Sequence, residues 1–471
     1  MLHRSRRYLR MAGALALAGG SLLAGGAPAA ATADNAIGPM LHSRFMSATQ
    51  PPTPAQCEAV FTAPCYEPSQ LQTAYNEQPL FNSGITGAGQ TIVLVDSFGS
   101  PTIQADLATF DAEFNLPAPP SFKIIQPAGP VPAWDPTGAA GNLGWGVETT
   151  LDVEWAHSMA PGASILLVET PVAETEGTVG FPQIVKAENY VINHHLGQVI
   201  SQSFGATEGT FPSPASLLAL RSAYFNALRH HVTVLASTGD TGATNYSDAA
   251  GTMLYTHPAV GWPASDPLVT AVGGTQLALL ADGSRTQADR VWDDSTNYAL
   301  NDATTGSPGP AALATGGGKS AVFARPSYQD SVAGVTGAQR GIPDISMSAA
   351  CSGPVDIYLS FPGIPAGWTA VCGTSEASPL FAGVVAMADQ VAGHSLGLIN
   401  PALYALSAAH APGLVDVTKG NNTVSFLQPL LVIVQGYHAG PGYDLASGVG
   451  TVNATLFVPE LAQAAGGGYG G

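Results

Sequence analysis

Charge is scarce in this chain. Charged residues are 10% of 471 positions, where about a quarter is usual. Lysine is scarcest, present only as Lys123, Lys186, Lys319 and Lys419. Lys+Arg is 15 against Asp+Glu 33, a formal charge of −18. Nucleic-acid binders need clustered cations to meet phosphates, so that class is excluded. Cysteine is rare as well, at four. No CxxC pair or histidine cluster has zinc spacing, which argues against a metal–thiolate centre. No apolar run is long enough to cross a bilayer, so no membrane partner is expected.

Hydrophobic residues, at 45%, suffice for a large core, and Gly 55 with Pro 37 implies many turns. The length is a soft prior for roughly three domain units, but one large α/β unit also fits. Residues 1–33 read as an export signal. Arg4, Arg6, Arg7 and Arg10 precede the apolar stretch Met11–Leu23, and small residues follow at Ala27–Ala33. A secreted, extracellular, monomeric protein is expected. Losing that segment removes four arginines and no acid. As carboxylates protonate in acid, few cations remain to repel one another, which suits an acidic medium. In an exported chain four cysteines imply two disulfides with three possible connectivities. Cys57 with Cys65 and Cys351 with Cys372 are the local choices.

Residues 34–70 are Pro-rich and read as an irregular N-terminal arm or short prosegment. Next come apolar runs at 91–95, 164–168, 198–203, 232–236 and 269–272, separated by helical stretches. Continuous rather than alternating hydrophobicity predicts strands covered on both faces. The fold class is therefore α/β, with a mostly parallel central sheet and helices on both faces. Residues 127–144 and 300–318 read as loops, and 461–471 as a flexible tail. No boundary divides 71–460.

Three segments could carry chemistry. In 146–157, Val147, Leu151, Trp155 and Met159 form a helical stripe, with Glu148 and Asp152 on the adjoining stripe at the edge of the buried face. Two close, partly buried carboxyls push one pKa upward and can supply an acid or base. Gly373-Thr374-Ser375 ends a loop before an apolar helix, and a serine there lies near backbone N–H donors. Asp240 follows a strand into a glycine turn. Singly, each fits a solvated helix face, an N-cap serine or an Asx turn.

Together they resemble one family, the sedolisins or serine-carboxyl peptidases, and its kumamolisin-like members. Met159-Ala-Pro-Gly-Ala163, Gly261-Trp-Pro-Ala-Ser265, Gly316-Gly-Gly-Lys-Ser320 and Pro343-Asp-Ile-Ser346 match too, in order across roughly 70–455. The resemblance implies a subtilisin-like fold and a serine-type endopeptidase acting on polypeptides in acid. Ser375 would be the nucleophile, Glu148 the general base, Asp152 its proton-sharing partner and Asp240 the oxyanion-hole acid. Asp96, at the first strand's end, would extend the network. Ser203, Phe204 and Gly205 match the substrate-edge strand, with Phe204 where the family often has Trp. A calcium loop is implied at Asp416, Val417, Gly440, Gly442 and Asp444, whose hard oxygens suit Ca²⁺. The rival readings are an aspartic-type peptidase using Asp240-Thr241-Gly242, a serine hydrolase based on His157, and a secreted protein that keeps the fold without catalysis.

Overall fold

Runs of aliphatic and β-branched residues form the centre of the molecule. The computed structural model describes residues 41–297, 300 and 310–466. Strand β1 is His42–Ser47. The central sheet takes β2 (Thr91–Ser97), β3 (Phe122–Ile125), β4 (Ser164–Thr170), β5 (Val199–Gln202), β6 (Thr233–Ser237), β7 (Thr270–Gln276), β8 (Arg290–Val291) and β9 (Ile345–Ser348). The five runs read from the sequence became β2, β4, β5, β6 and β7. Their order is β8-β7-β6-β5-β2-β4-β3, with β9 also against β7. All pairings are parallel except that of β8 with β7. The α/β class with a mostly parallel sheet is thus observed.

Both faces of the sheet are covered, as continuous hydrophobicity requires. Along β2, Ile92 and Leu94 join one core while Val93 and Val95 join another. On the first face lie α1 (Asn142–Met159), α4 (Thr374–Ala392) and α5 (Ala454–Gly466). On the second lie α2 (Phe181–Asn193) and α3 (Ser222–His230). From β2 the chain goes out to the edge strand β3, comes back to fill the gap with β4, and then crosses to β2's other side with β5. That reversal is a topological switch point, where crevices open beyond the strands' carboxyl ends. Asp96 ends up there on β2, and Ser203 just after β5.

Several expectations need correction. The arm at 34–70 is not irregular where it is described. β1 pairs antiparallel with β11 (Gly367–Cys372), which pairs in turn with β10 (Val355–Leu359). Pro54–Phe61 is a helix, because Thr53 and Gln56 form a capping box and Pro54 opens the first turn. Of the tail expected at 461–471, residues 461–466 belong instead to α5, where Leu461, Ala462 and Ala465 are buried. The loop expected at 127–144 ends at Gly141, where α1 begins. Residues 1–33 and 467–471 lie outside the described residues, as do 301–309 within the loop expected at 300–318. Both disulfides take the local pairing, Cys57–Cys65 and Cys351–Cys372. The second ties β11's end to Cys351, three residues past β9.

β9 is anchored by an ion pair just ahead of it. Arg340 and Asp344 are both fully buried. Arg340 Nη1 donates to Asp344 Oδ1 at 2.6 Å, and Tyr404 OH and Ala271 N also donate to that carboxylate, each at 2.8 Å. Removing one partner leaves a buried charge unpaired. Asp344→Ala should therefore cost about 3–5 kcal/mol in urea unfolding. Asp330→Ala, at a carboxylate 64% exposed beside Arg325, should cost less than about 1 kcal/mol.

Candidate active site

Local sequence decides how α4 presents Ser375. Gly373 caps the helix at φ +136°, where a side chain would be strained. Pro379 sits inside the helix and has no N–H for the carbonyl four residues earlier. That carbonyl belongs to Ser375, and it accepts the Ser203 hydroxyl at 3.3 Å instead. Proline thus opens the helix at the one carbonyl that receives the β5 edge. Gly383 lets α4 approach α1 closely, since a Cβ there would lie 2.5 Å from that of Met159. The two helices therefore bring Glu148 and Asp152 to Ser375.

The structure gathers Asp96, Glu148, Asp152, Ser203, Asp240 and Ser375 into one buried space. The Ser375 hydroxyl is close enough to the Glu148 carboxyl to act on its titration, although neither Glu148 oxygen is hydrogen-bonded, and it lies 3.4 Å from Ser203 O. Ser203 Oγ donates to Asp152 Oδ1 at 2.8 Å. Asp240 Oδ1 accepts both Thr374 N and Thr374 Oγ1, each at 2.7 Å. Gly239 N donates to Thr374 Oγ1 at 3.0 Å. Asp240 Oδ2 has no partner, so this oxygen is available to carry a proton. Asp96 meets Thr149, the neighbour of Glu148.

Burial is the main cause of every pKa shift here. It raises Glu148 well above its ordinary value, and Asp152 and Asp96 add repulsion. Asp152 is likewise raised well up by burial and then by Asp96. Burial lifts Asp96 from 3.8 to about 7, with the nearby Thr149 hydroxyl pulling the other way. Asp240 also rises from 3.8 to about 7, with Thr374 pulling the other way. The carboxyls titrate as a group in which few charges coexist.

Other features depart from expectation. α1 is buried on every face from Trp145 to Met159, so Glu148 and Asp152 do not lie at an edge. The helix is enclosed by β2, α4, β10 and Ile103–Phe114. The Phe204 ring packs into the second core beside Trp145 and Phe181, so only its main chain is free to face the crevice. His157 is engaged by Pro117 O at 2.8 Å and Asp111 at 3.3 Å. Sequence reasoning missed Thr374 as the anchor of Asp240, although it sits inside the Gly-Thr-Ser motif. It also missed Glu376, fully buried next to the nucleophile candidate.

The expected calcium loop draws its two acids together from distant segments. Asp416 Oδ2 accepts Gly442 N at 2.8 Å, and Asp444 Oδ2 accepts Gly440 N at 3.0 Å. Neither acid belongs to any ion pair among the described residues. Asp444 on the glycine loop and Asp416 bonded to that loop at Gly442, both lacking a side-chain cation, are oxygen donors of the kind a hard divalent ion takes.

A sequence profile of the subtilase family matches residues 137–406. The chain is 31% identical over 395 residues to kumamolisin of Bacillus sp. (strain MN-32), covering 82% of this chain and 62% of that protein. It is 29% identical over 409 residues to sedolisin of Pseudomonas sp. (strain 101), covering 85% and 62%. The chain thus spans about three fifths of the length of these relatives. A solved structure, Pseudomonas sedolisin (serine-carboxyl proteinase) complexed with two molecules of pseudo-iodotyrostatin, superposes with TM-score 0.66 at 26% identity, over 85% of this chain and 98% of that one. The fold is therefore subtilisin-like.

The raised carboxyls fix the sign of the pH response. An acid with a folded pKa near 7 and an unfolded value near 4 keeps its proton in the folded chain while the unfolded chain releases it. The folded state then binds more protons, and stability falls as pH rises from about 4 to about 7. Thermal unfolding at a series of pH values should show this decline. Asp96→Asn should make it shallower by that one group's share.

Proposed function

The chain belongs to the subtilase family, and from that premise we propose that it is a secreted serine-carboxyl endopeptidase acting in acid. The observation that carries the reading is the Ser375 hydroxyl lying against Glu148 in a space shared with three further carboxyls. In this reading Glu148 takes the Ser375 proton as Oγ attacks the peptide carbonyl. Asp152, held by Ser203, orients Glu148 and shares its proton, with Asp96 behind. Asp240, protonated at Oδ2, donates a hydrogen bond to the developing oxyanion, its other oxygen being fixed by Thr374. Glu148 then protonates the leaving amine, and water resolves the acyl-enzyme by the reverse route. A histidine base would already be charged well below pH 6.5, whereas here one carboxylate accepts the proton while Asp240 keeps its own.

Export is supported by the basic-then-apolar start and by two disulfides. Among the described residues no helix is long and apolar enough to cross a membrane. Asp416, Asp444 and the carbonyls of Val417, Gly440 and Gly442 would hold calcium. It would stabilise the loop and stay remote from the chemistry. The aspartic-type reading needs two carboxyls sharing a water. The double engagement of Asp240 Oδ1 by Thr374 speaks against it.

Ser375→Ala and Glu148→Gln should each lower kcat on a peptide at pH 4 by about a thousandfold or more, with cooperative unfolding retained. Full activity of Ser375→Ala would remove the serine mechanism. The alkaline limb of kcat/KM should fall near pH 7 as Asp240 loses its proton. Asp240→Asn, whose amide donates at any pH, should flatten that limb, and an unaltered limb would take Asp240 out of the oxyanion site. Calcium present at a hundred times its Kd should stabilise the fold by about 2.7 kcal/mol. Chelation should therefore lower Tm, and Asp416→Asn should abolish that sensitivity.

A further inference from the structure

Histidine outnumbers lysine in this chain, 11 against four, and it is unevenly placed. His194 and His195 follow the end of α2, and His230 and His231 close α3. All four residues are exposed. The two helix ends are held together. Asn226 Nδ2 on α3 donates to Asn189 Oδ1 at 3.0 Å and to Asn193 Oδ1 at 2.8 Å, both on α2. Beyond the helices, Thr233 N donates to Gln198 O at 2.9 Å. The His195 backbone is set in the left-handed region at φ +52°. This frame brings the His195 and His230 rings to 5.3 Å between centres, tilted by 58°. Among the described residues neither histidine joins an ion pair or a ring hydrogen bond, so their ring nitrogens are open to a ligand.

Imidazole nitrogen suits zinc, copper and nickel, whereas calcium and magnesium take oxygen. Two imidazoles on one tetrahedral zinc, each nitrogen about 2.1 Å from the ion and its ring centre about 1 Å behind, have centres about 5 Å apart. The observed spacing matches. We propose that His195 and His230 form a site for a divalent transition-metal ion of the zinc and copper class, with water completing the shell. The two residues are too far apart in sequence to show zinc spacing, and only the fold joins them. The site is distinct from the carboxyl cluster. β5 begins at Val199 and β6 at Thr233, so both histidines lie at the strands' amino ends, while Asp96 and Ser203 emerge at the carboxyl ends. The ion ties the ends of α2 and α3 and leaves that crevice open.

The test titrates the native chain with zinc chloride near pH 7.5, where free imidazole is neutral, in a buffer that contains calcium. Calorimetry should give one ion per chain, and Tm should rise, because the ion binds the folded state. Copper(II) should bind more tightly than zinc and show two nitrogen ligands by electron paramagnetic resonance. His195→Asn removes one ligand and keeps a residue that tolerates positive φ. His230→Gln removes the other without touching that turn. Even an outer partner of a metal ligand is worth about tenfold or more in affinity, so each variant should lose at least that factor and the rise in Tm. His257→Gln, at an exposed histidine elsewhere, should change neither. Zinc binding that survives both single substitutions overturns the proposal, as does binding without a fixed stoichiometry or without a rise in Tm.

Discussion

Four carboxyl groups are held out of water around one hydroxyl, and the rest of the structure follows from that. Asp96, Glu148, Asp152 and Asp240 are all buried. Outside water an isolated carboxylate is very costly, and a second one beside it costs more. The low-cost solution is to keep protons on most of them. A dry site also strengthens every interaction aimed at developing charge. Burial is thus the source both of the raised pKa values and of the strength of the proposed oxyanion contact.

Maintaining that burial takes much of the fold. α1 is enclosed on every side, unlike an amphipathic surface helix. The parallel sheet supplies the platform, and its strand order reverses where Asp96 and Ser203 emerge. Gly383 permits the close helix approach, and Pro379 leaves the Ser375 carbonyl free for Ser203. The β1-β11-β10 sheet and the Cys351–Cys372 bridge fix the strand that runs into Gly373. These devices join segments far apart in the chain, and each bears on how Ser375 is set among its carboxyl neighbours.

The central strands were legible because buried parallel strands carry unbroken aliphatic runs. The Glu148/Asp152 pair was legible because i, i+4 spacing places two acids on one side of any helix. Full enclosure of α1 was not, since Glu154 and His157 look solvent-facing in sequence and are buried by elements far along the chain. Thr374 was overlooked because its partner lies 134 residues away. Pro-rich composition concealed β1, whose strand character comes from pairing with β11 rather than from its own pattern. Nor does periodicity reveal whether a ring such as that of Phe204 faces a crevice or a core.

The scarcity of cations now acquires a structural reason. Only five ion pairs occur among the described residues, one of them with a histidine. Yet Glu77, Glu154, Glu174, Glu188, Asp356 and Glu376 are buried with raised pKa values, chiefly through desolvation. Lysine or arginine partners could neutralise such acids at neutral pH, each with its own desolvation cost. This chain leaves them to protons instead. A proton adds no side chain to bury, but it stays bound only while the medium is acidic enough. The few cations, the many buried acids and the proposed carboxyl chemistry therefore share one condition, a supply of protons. The same protonation that would let Asp240 donate a hydrogen bond would also spare these buried acids the cost of an unpaired charge.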